Sequence, residues 1–323
     1  MRSIGPCVIA LILHSFILLG CSNGPASPGG GIVGNDIQSR VDAASIGDTI
    51  LIAPGIYTEL HDYTDFIGRE IQVFCVVKFG IVVRGATGDP SDVIIDAGGV
   101  GRGFWFHEVG DSTGLAGITV RNASWAISGY DASPWIDNCV VEYNGDVENY
   151  PASSGAGMYF DRSNSRITNC VFRGNESAAG GGATFSINSN VRLERCVFIG
   201  NRATYSGGGL NIANDSRATV VDCEFKGNSA VEQGGGIHCY CDSIHVVGGT
   251  ISSNTAGTRG GGISVGSVIL GGLFEGVEIY SNTSPEGAQG YVMPYAGTVS
   301  VVCCDTNIEE WAGNATFNND GCE

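Results

Sequence analysis

Asn169-Cys170-Val171-Phe172-Arg173-Gly174-Asn175 is answered by Arg195-Cys196-Val197-Phe198-Ile199-Gly200-Asn201 and again by Asp222-Cys223-Glu224-Phe225-Lys226-Gly227-Asn228. Each unit leads into a glycine triplet, at Gly180–Gly182, Gly207–Gly209 and Gly234–Gly236, and a fourth triplet stands at Gly260–Gly262. The closing residues Asn175, Asn201, Asn228, Asn254 and Asn282 recur at intervals of 26, 27, 26 and 28 residues. A repeat of this length without helical spacing describes a solenoid. Between its landmarks each unit carries brief runs of alternating apolar and polar residues, such as Gly209-Leu210-Asn211-Ile212-Ala213-Asn214 and Ala218-Thr219-Val220-Val221. Those runs read as three short strands broken by turn residues, one coil of a parallel β-helix.

Stacking the coils about 4.8 Å apart gives each landmark a physical role. Cys139, Cys170, Cys196 and Cys223 form an inward row of buried thiols, and Phe172, Phe198 and Phe225 form another. Asparagines repeated at one turn hydrogen-bond to one another along the axis. Glycine triplets supply the positive-φ corners. A weaker unit, Asn138 to Asn144, precedes the regular ones. Farther upstream, the short runs 81–85 and 93–97 and the coil opening at Gly117 continue the same plan with longer insertions.

The repeat resembles the GGA[I/L/V] and FxxN repeats of polymorphic outer-membrane proteins, with Phe172-Arg173-Gly174-Asn175 as a direct match and Gly181-Gly182-Ala183-Thr184 as a near one. More broadly, the chain is similar to the pectin-lyase-like superfamily. Gly47-Asp48-Thr49-Ile50 followed by Pro54-Gly55-Ile56-Tyr57 matches that superfamily's entry motif. The resemblance implies an all-β, right-handed parallel β-helix over 32–300. A short amphipathic helix with Ile37, Val41, Ala44 and Ile46 is expected to cap its open end after Asn35-Asp36. The segment 301–323 departs from the pattern and is expected to form a C-terminal cap, with Cys303, Cys304 and Cys322 available to staple it.

The beginning of the chain carries an address. Arg2 precedes a mostly apolar run from Val8 to Leu19, too short to span a bilayer. The run ends Leu18-Leu19-Gly20-Cys21, which resembles a bacterial lipobox. The expectation is a signal peptide over 1–20, lipidation of Cys21, a Gly/Pro/Ser tether over 21–31, and export to the envelope, at the outer membrane of a Gram-negative cell. The membrane is then a partner through the anchor. An oxidising compartment also permits disulfides.

Composition narrows the functions. The net charge of −17 opposes nucleic-acid phosphates, so nucleic acid is excluded as a partner. Glycine makes up 51 of the 323 residues, yet a strict every-third-residue spacing is absent, which excludes collagen. A monomer is expected.

Alternation after each glycine corner sends the first residue inward and the next outward. One lateral face should therefore carry Trp105, His107, Tyr130, Tyr159, Asp161, His238 and Tyr240. Aromatic rings beside hydrogen-bonding groups suit sugars, which have apolar faces and polar edges. This points to an adhesin-like surface that binds a polysaccharide or a surface protein. A polysaccharide lyase or hydrolase and a structural spacer are the alternatives. The reading leans against catalysis, because neither a Gly-His-Gly motif nor a dense carboxylate cluster is present. Asp131, Asp137, Asp161 and Arg162 are the nearest approach to a catalytic group. No motif demands a cofactor, and calcium, which lyases of the superfamily hold on carboxylates, is the ion the resemblance keeps open. His238-Cys239-Tyr240-Cys241 with His245 is not read as a metal site, because alternation puts both cysteines inward and His238 outward.

Overall fold

The computed structural model describes residues 32–33, 37–145, 155–294 and 296–318. Cys21, the signal and tether segments, Asn35-Asp36 and Cys322 lie outside the described residues. Within them the chain winds as an all-β right-handed solenoid, and every strand pairing but one is parallel. A typical coil runs Ala183–Ser186, Asn190–Glu194 and Val197–Ile199, then adds the two-residue strand Arg202–Ala203. The first two strands of every coil join one 20-stranded sheet, the third strands stack into an 11-stranded sheet, and the short fourth strands form a sheet of their own. Left-handed residues make the bends before the third strands: Asn138, Asn169, Arg195 and Asp222 all have φ near +50°. Asn and Asp tolerate this conformation best.

The register confirms the inward rows. Phe172, Phe198 and Phe225 are neighbours on successive coils. Their rings stack at centroid distances of 4.6 and 4.7 Å. Cys139, Cys170, Cys196 and Cys223 are buried free thiols. Asn144, Asn175, Asn201, Asn228, Asn254 and Asn282 form a buried ladder. Each amide of the first five donates to the next asparagine's Oδ1 at 2.9–3.0 Å. It also donates to a backbone carbonyl, as Asn201 does to Phe172 at 2.9 Å.

The glycine triplets do more than turn the chain. Gly180 has φ +65°, and a Cβ there would lie 2.0 Å from Thr184 Oγ1. A Cβ on Gly182 would lie 2.5 Å from the Gly209 carbonyl oxygen. The corner thus folds over the first outward residue of its own strand. This corrects one expectation: pointing outward is not the same as being exposed. Thr184, Asn211 and Ser264 point out of the coil and are nonetheless buried.

The helix Ile37–Ala43 covers the first coil with buried Ile37 and Val41. Gln38 acts as a substitute strand: its Oε1 accepts from the Val76 N–H at 2.8 Å, and its Nε2 donates to the Val76 carbonyl at 3.3 Å. That satisfies an edge otherwise open to pairing. Ile46 does not belong to the buried stripe; it is 75% exposed. At the other end Val299–Val302, Trp311–Gly313 and Ala315–Asn318 extend the rungs, and Trp311 packs edge-on against Phe274 and Phe317. Cys303 is disulfide-bonded and Cys304 is a buried thiol. Among the described residues no helix is long and apolar enough to cross a membrane.

Candidate functional site

The antiparallel pairing is a hairpin, His61–Thr64 with Glu70–Val77. Its second strand continues into the solenoid, pairing Val73 with Arg102 and Val77 with Phe106, so the turn lies outside the parallel rungs. Asp65 builds the tip. Its Oδ1 accepts from the Ile67 and Arg69 N–H groups at 3.1 and 2.9 Å, and its Oδ2 pairs with the Arg69 guanidinium. Burial alone would raise the Asp65 carboxyl. The Arg69 and Ile67 hydrogen bonds and the Arg69 charge outweigh burial and hold it below its ordinary range. This turn presents Phe66 to the outward rows of the next coils.

Phe66 stacks on Tyr130 at 4.3 Å, on His107 at 4.8 Å and on Trp105 at 6.2 Å. Trp105, Ser128 and Tyr159 occupy one outward row, and His107, Tyr130 and Asp161 the next. Arg102 and Trp125 are register neighbours at the start of the same strands. The Arg102 guanidinium lies 4.8 Å from the Trp105 ring and 4.3 Å from the Trp125 ring. Trp125 in turn stacks on Tyr159 at 5.5 Å. Together with Arg69 these groups enclose a cavity of about 260 Å³ lined by Phe66, Trp105, Trp125, Tyr130, Tyr159 and Asp161. A second cavity of about 450 Å³ adjoins it, sharing Arg69 and Trp125 and adding Asp62, Glu70, Gln72, Arg102 and Ser124.

The polar groups of this cavity are unevenly satisfied. Tyr159 donates its hydroxyl to Asp161 Oδ2 at 2.8 Å. Asp161 Oδ1, Ser128 Oγ and the indole nitrogens of Trp105 and Trp125 are buried and have no hydrogen-bond partner among the described residues. Leaving such atoms unpaired costs free energy, and native interiors rarely tolerate it. Burial drives the Asp161 carboxyl above its ordinary range; the Tyr159 hydrogen bond opposes the rise and the Asp131 charge adds to it. The Tyr159 phenol is raised as well, by burial first and then by the Asp161 charge. At the rim Arg162 pairs with Asp131 at 2.7 Å and lies 3.8 Å from the Tyr130 ring centroid.

The residues singled out from the sequence thus divide. Trp105, His107, Tyr130, Tyr159, Asp161, Asp131 and Arg162 come together around the Phe66 tip. Asp137 does not join them: it lies on the second strand of its coil, where Thr168 and Asn169 donate to its Oδ1. His238 shares the Tyr159 row, but three coils away, past Thr184 and Asn211. It is tucked under its own corner, where a Cβ on Gly234 would sit 2.8 Å from the His238 Cβ. Burial pushes the His238 imidazole down to about 4. Tyr240 is half exposed and stands beside His238, away from the cavity. Cys239 and Cys241 do face inward, but they are joined to each other in a disulfide and are not thiols. Among the described residues no group of three or more His, Cys, Asp and Glu side chains could hold a metal ion.

Sequence reasoning missed Phe66, Arg69, Arg102 and Trp125. The available signal was the Asp65-Phe66-Ile67-Gly68 turn inside an insertion that breaks the repeat.

This solenoid, with its stacked register and corner geometry, belongs to the right-handed β-helix family. A family model described as a right-handed beta helix region matches residues 106–284, more than half of the 323-residue chain. No curated protein and no solved structure matches it. The hairpin that walls the cavity lies outside the matched stretch.

Proposed function

We propose that this protein is an envelope β-helix protein that binds a glycan at the cavity between the Phe66 hairpin and the outward aromatic rows. The observation that carries the reading is the set of four buried polar atoms on Trp105, Trp125, Ser128 and Asp161 without partners among the described residues. Trp105, Trp125 and Asp161 line an aromatic-walled space, and Ser128 sits in the row between Trp105 and Tyr159. A sugar ring stacks its C–H face on such rings and offers hydroxyls that both donate and accept. Two indole donors, one hydroxyl and one carboxylate oxygen match that chemistry. The entry motif and repeats support a relationship to the pectin-lyase-like superfamily and to polymorphic outer-membrane proteins. The Leu18-Leu19-Gly20-Cys21 stretch supports attachment to the outer membrane through lipidated Cys21.

The test is binding of the protein to a panel of neutral and uronate polysaccharides, with and without calcium. The Tyr130→Ala/Tyr159→Ala double variant should lose at least about tenfold in affinity, the equivalent of one or two lost ring contacts. Undiminished capture by a folded double variant would sink the reading.

The raised carboxyl of Asp161 beside Asp131 supports a second reading, a hydrolase with Asp161 as the general acid. Release of new reducing ends that depends on Asp161 would establish it. Binding without release would leave the first.

A further inference from the structure

Three large apolar side chains stand exposed on the first coils: Ile46 at 75%, Leu51 at 50% and Phe79 at 50%. Ile46 and Phe79 are held near one another by the fold. The Gly47 N–H donates to the Gly80 carbonyl at 2.8 Å, which stacks the turn bearing Ile46 on the turn bearing Phe79. A Cβ on Gly80 would lie 2.8 Å from Ile46 Cγ2, so the isoleucine lies directly over that second turn. Leu51 faces the same side as its register neighbour Arg84.

The cations of this region also differ from most of the others. Arg69, Arg121, Arg162, Arg166, Arg173, Arg192, Arg195, Arg202, Arg217 and Arg259 are all ion-paired with carboxylates. Arg40, Lys78 and Arg84 have no carboxylate partner among the described residues. Arg40 donates to the Leu51 carbonyl at 2.9 Å, beside one of the exposed apolar residues, and Lys78, the chain neighbour of Phe79, donates to the Asp42 carbonyl at 2.7 Å. Among the carboxylates of the same segment, Asp42 accepts from Gln38, Asp48 from the Ser45 N–H and Asp89 from Ser91, all of them neutral donors. Lys226, on the distant strand Glu224–Lys226, also lacks a carboxylate partner among the described residues, so the first coils hold a group of three such cations rather than all of them.

We propose that this side of the first coils rests on an anionic lipid bilayer, with Ile46, Leu51 and Phe79 in the headgroup boundary and Arg40, Lys78 and Arg84 on lipid phosphates. Mixed apolar and basic groups suit that interface, where each adds a small increment. The surface lies at the end of the solenoid where Ile32 enters by pairing with Ile56. Cys21 lies eleven residues before Ile32. Such a stretch reaches at most about 35 Å, enough to let a lipidated Cys21 and this surface touch one membrane. The inference rests on the membrane attachment proposed above. It adds an orientation, in which the first coils face the lipid.

The experiment uses the full chain in vesicles of phosphatidylethanolamine and phosphatidylglycerol, with Phe79→Trp as a fluorescent reporter and Tyr280→Trp as a control on a distant coil. Signals are read as differences from the unsubstituted protein, with and without brominated lipid. The Phe79→Trp signal should shift to the blue and be quenched about twofold, while the Tyr280→Trp signal stays unchanged. Adding Ile46→Ser and Leu51→Ser should abolish the quenching while the protein still sediments with the vesicles. Sedimentation without quenching at position 79, or equal quenching at both positions, overturns the orientation alone. Failure to sediment overturns the attachment, and the orientation with it. A Phe79→Trp shift that needs high protein concentration and no lipid assigns the surface to self-association and overturns the proposal.

Discussion

Residues 163–290 and residues 61–162 use one scaffold in two ways. In the later coils most landmarks have a copy on a neighbouring coil. Asn201 donates to Phe172 and Asn228 and accepts from Asn175 twice. Ser189 Oγ donates to the Ser186 carbonyl and accepts from the Ser163 N–H. A regular stack saturates its polar groups with its own neighbours, which leaves little for a ligand. In the earlier coils the hairpin interrupts the repeat, and the aromatic rows there have no equivalent on the next coil. Four of the buried unpaired polar atoms, on Trp105, Trp125, Ser128 and Asp161, cluster at this interruption. Regularity supplies stability, and its local failure supplies recognition.

The comparison can be broken most severely at the asparagine ladder. Asn201→Ala should cost about 3–5 kcal/mol, since it strands several buried groups at once. Asn122→Ala should cost less, about 1–2 kcal/mol, from an exposed hydrogen bond to Asp96 and a left-handed backbone that alanine adopts less readily. Chemical denaturation of the two variants measures the contrast. Equal losses would show that the ladder is no stronger than the surface.

Asp161→Asn probes the opposite kind of site. It should weaken glycan binding at least about tenfold, yet stabilise the free protein by about 1 kcal/mol at pH 7, because a buried and incompletely paired charge is removed. The sign follows from the raised carboxyl: the folded protein takes up this proton more readily than the unfolded chain, so wild-type stability declines as pH rises through the folded value. The advantage of the variant should shrink as pH falls and the wild-type carboxyl becomes protonated. Thermal melts from pH 3 to 8 test this. A variant less stable than wild type at pH 7 would refute the strained-carboxylate account.

His238 lies on the regular stack but carries a buried Nδ1 without a partner among the described residues. Its imidazole is pushed down to about 4 from 6.5, so the unfolded chain takes the proton first and stability is lost as pH falls between those values. The loss should be at most about 2 kcal/mol, allowing for the partial exposure of the residue. His238→Asn should flatten that part of the profile.

The smallest effect is expected at the hairpin tip. Asp65→Ala removes the acceptor for Ile67 and Arg69 and should loosen Phe66, reducing glycan affinity about threefold. The melting temperature should scarcely change, because the turn lies outside the parallel rungs. A large drop in melting temperature would show instead that the hairpin is integral to the solenoid.

The legible part of the molecule was the part that repeats. Cys170, Phe172 and Asn175 announced inward rows because a parallel stack puts identical positions one above another, and the register bears this out. The alternation that sent Tyr159 and Asp161 outward also held. Local patterns did not show what covers an outward residue. The fate of Thr184 depends on Gly180, and that of Tyr130 depends on Phe66, which lies 64 positions earlier in the chain. Nor did alternation show that Cys239 and Cys241 would be joined.

By itself, then, the sequence determined the architecture. Periodicity at 26–28 residues, turn residues at fixed offsets and apolar alternation admit a parallel solenoid and little else, because each is a short-range preference repeated many times. The tertiary structure alone decided where the unsatisfied polar groups collect. That outcome depends on a single hairpin folding back over three coils, a long-range contact that occurs once and leaves no period to read.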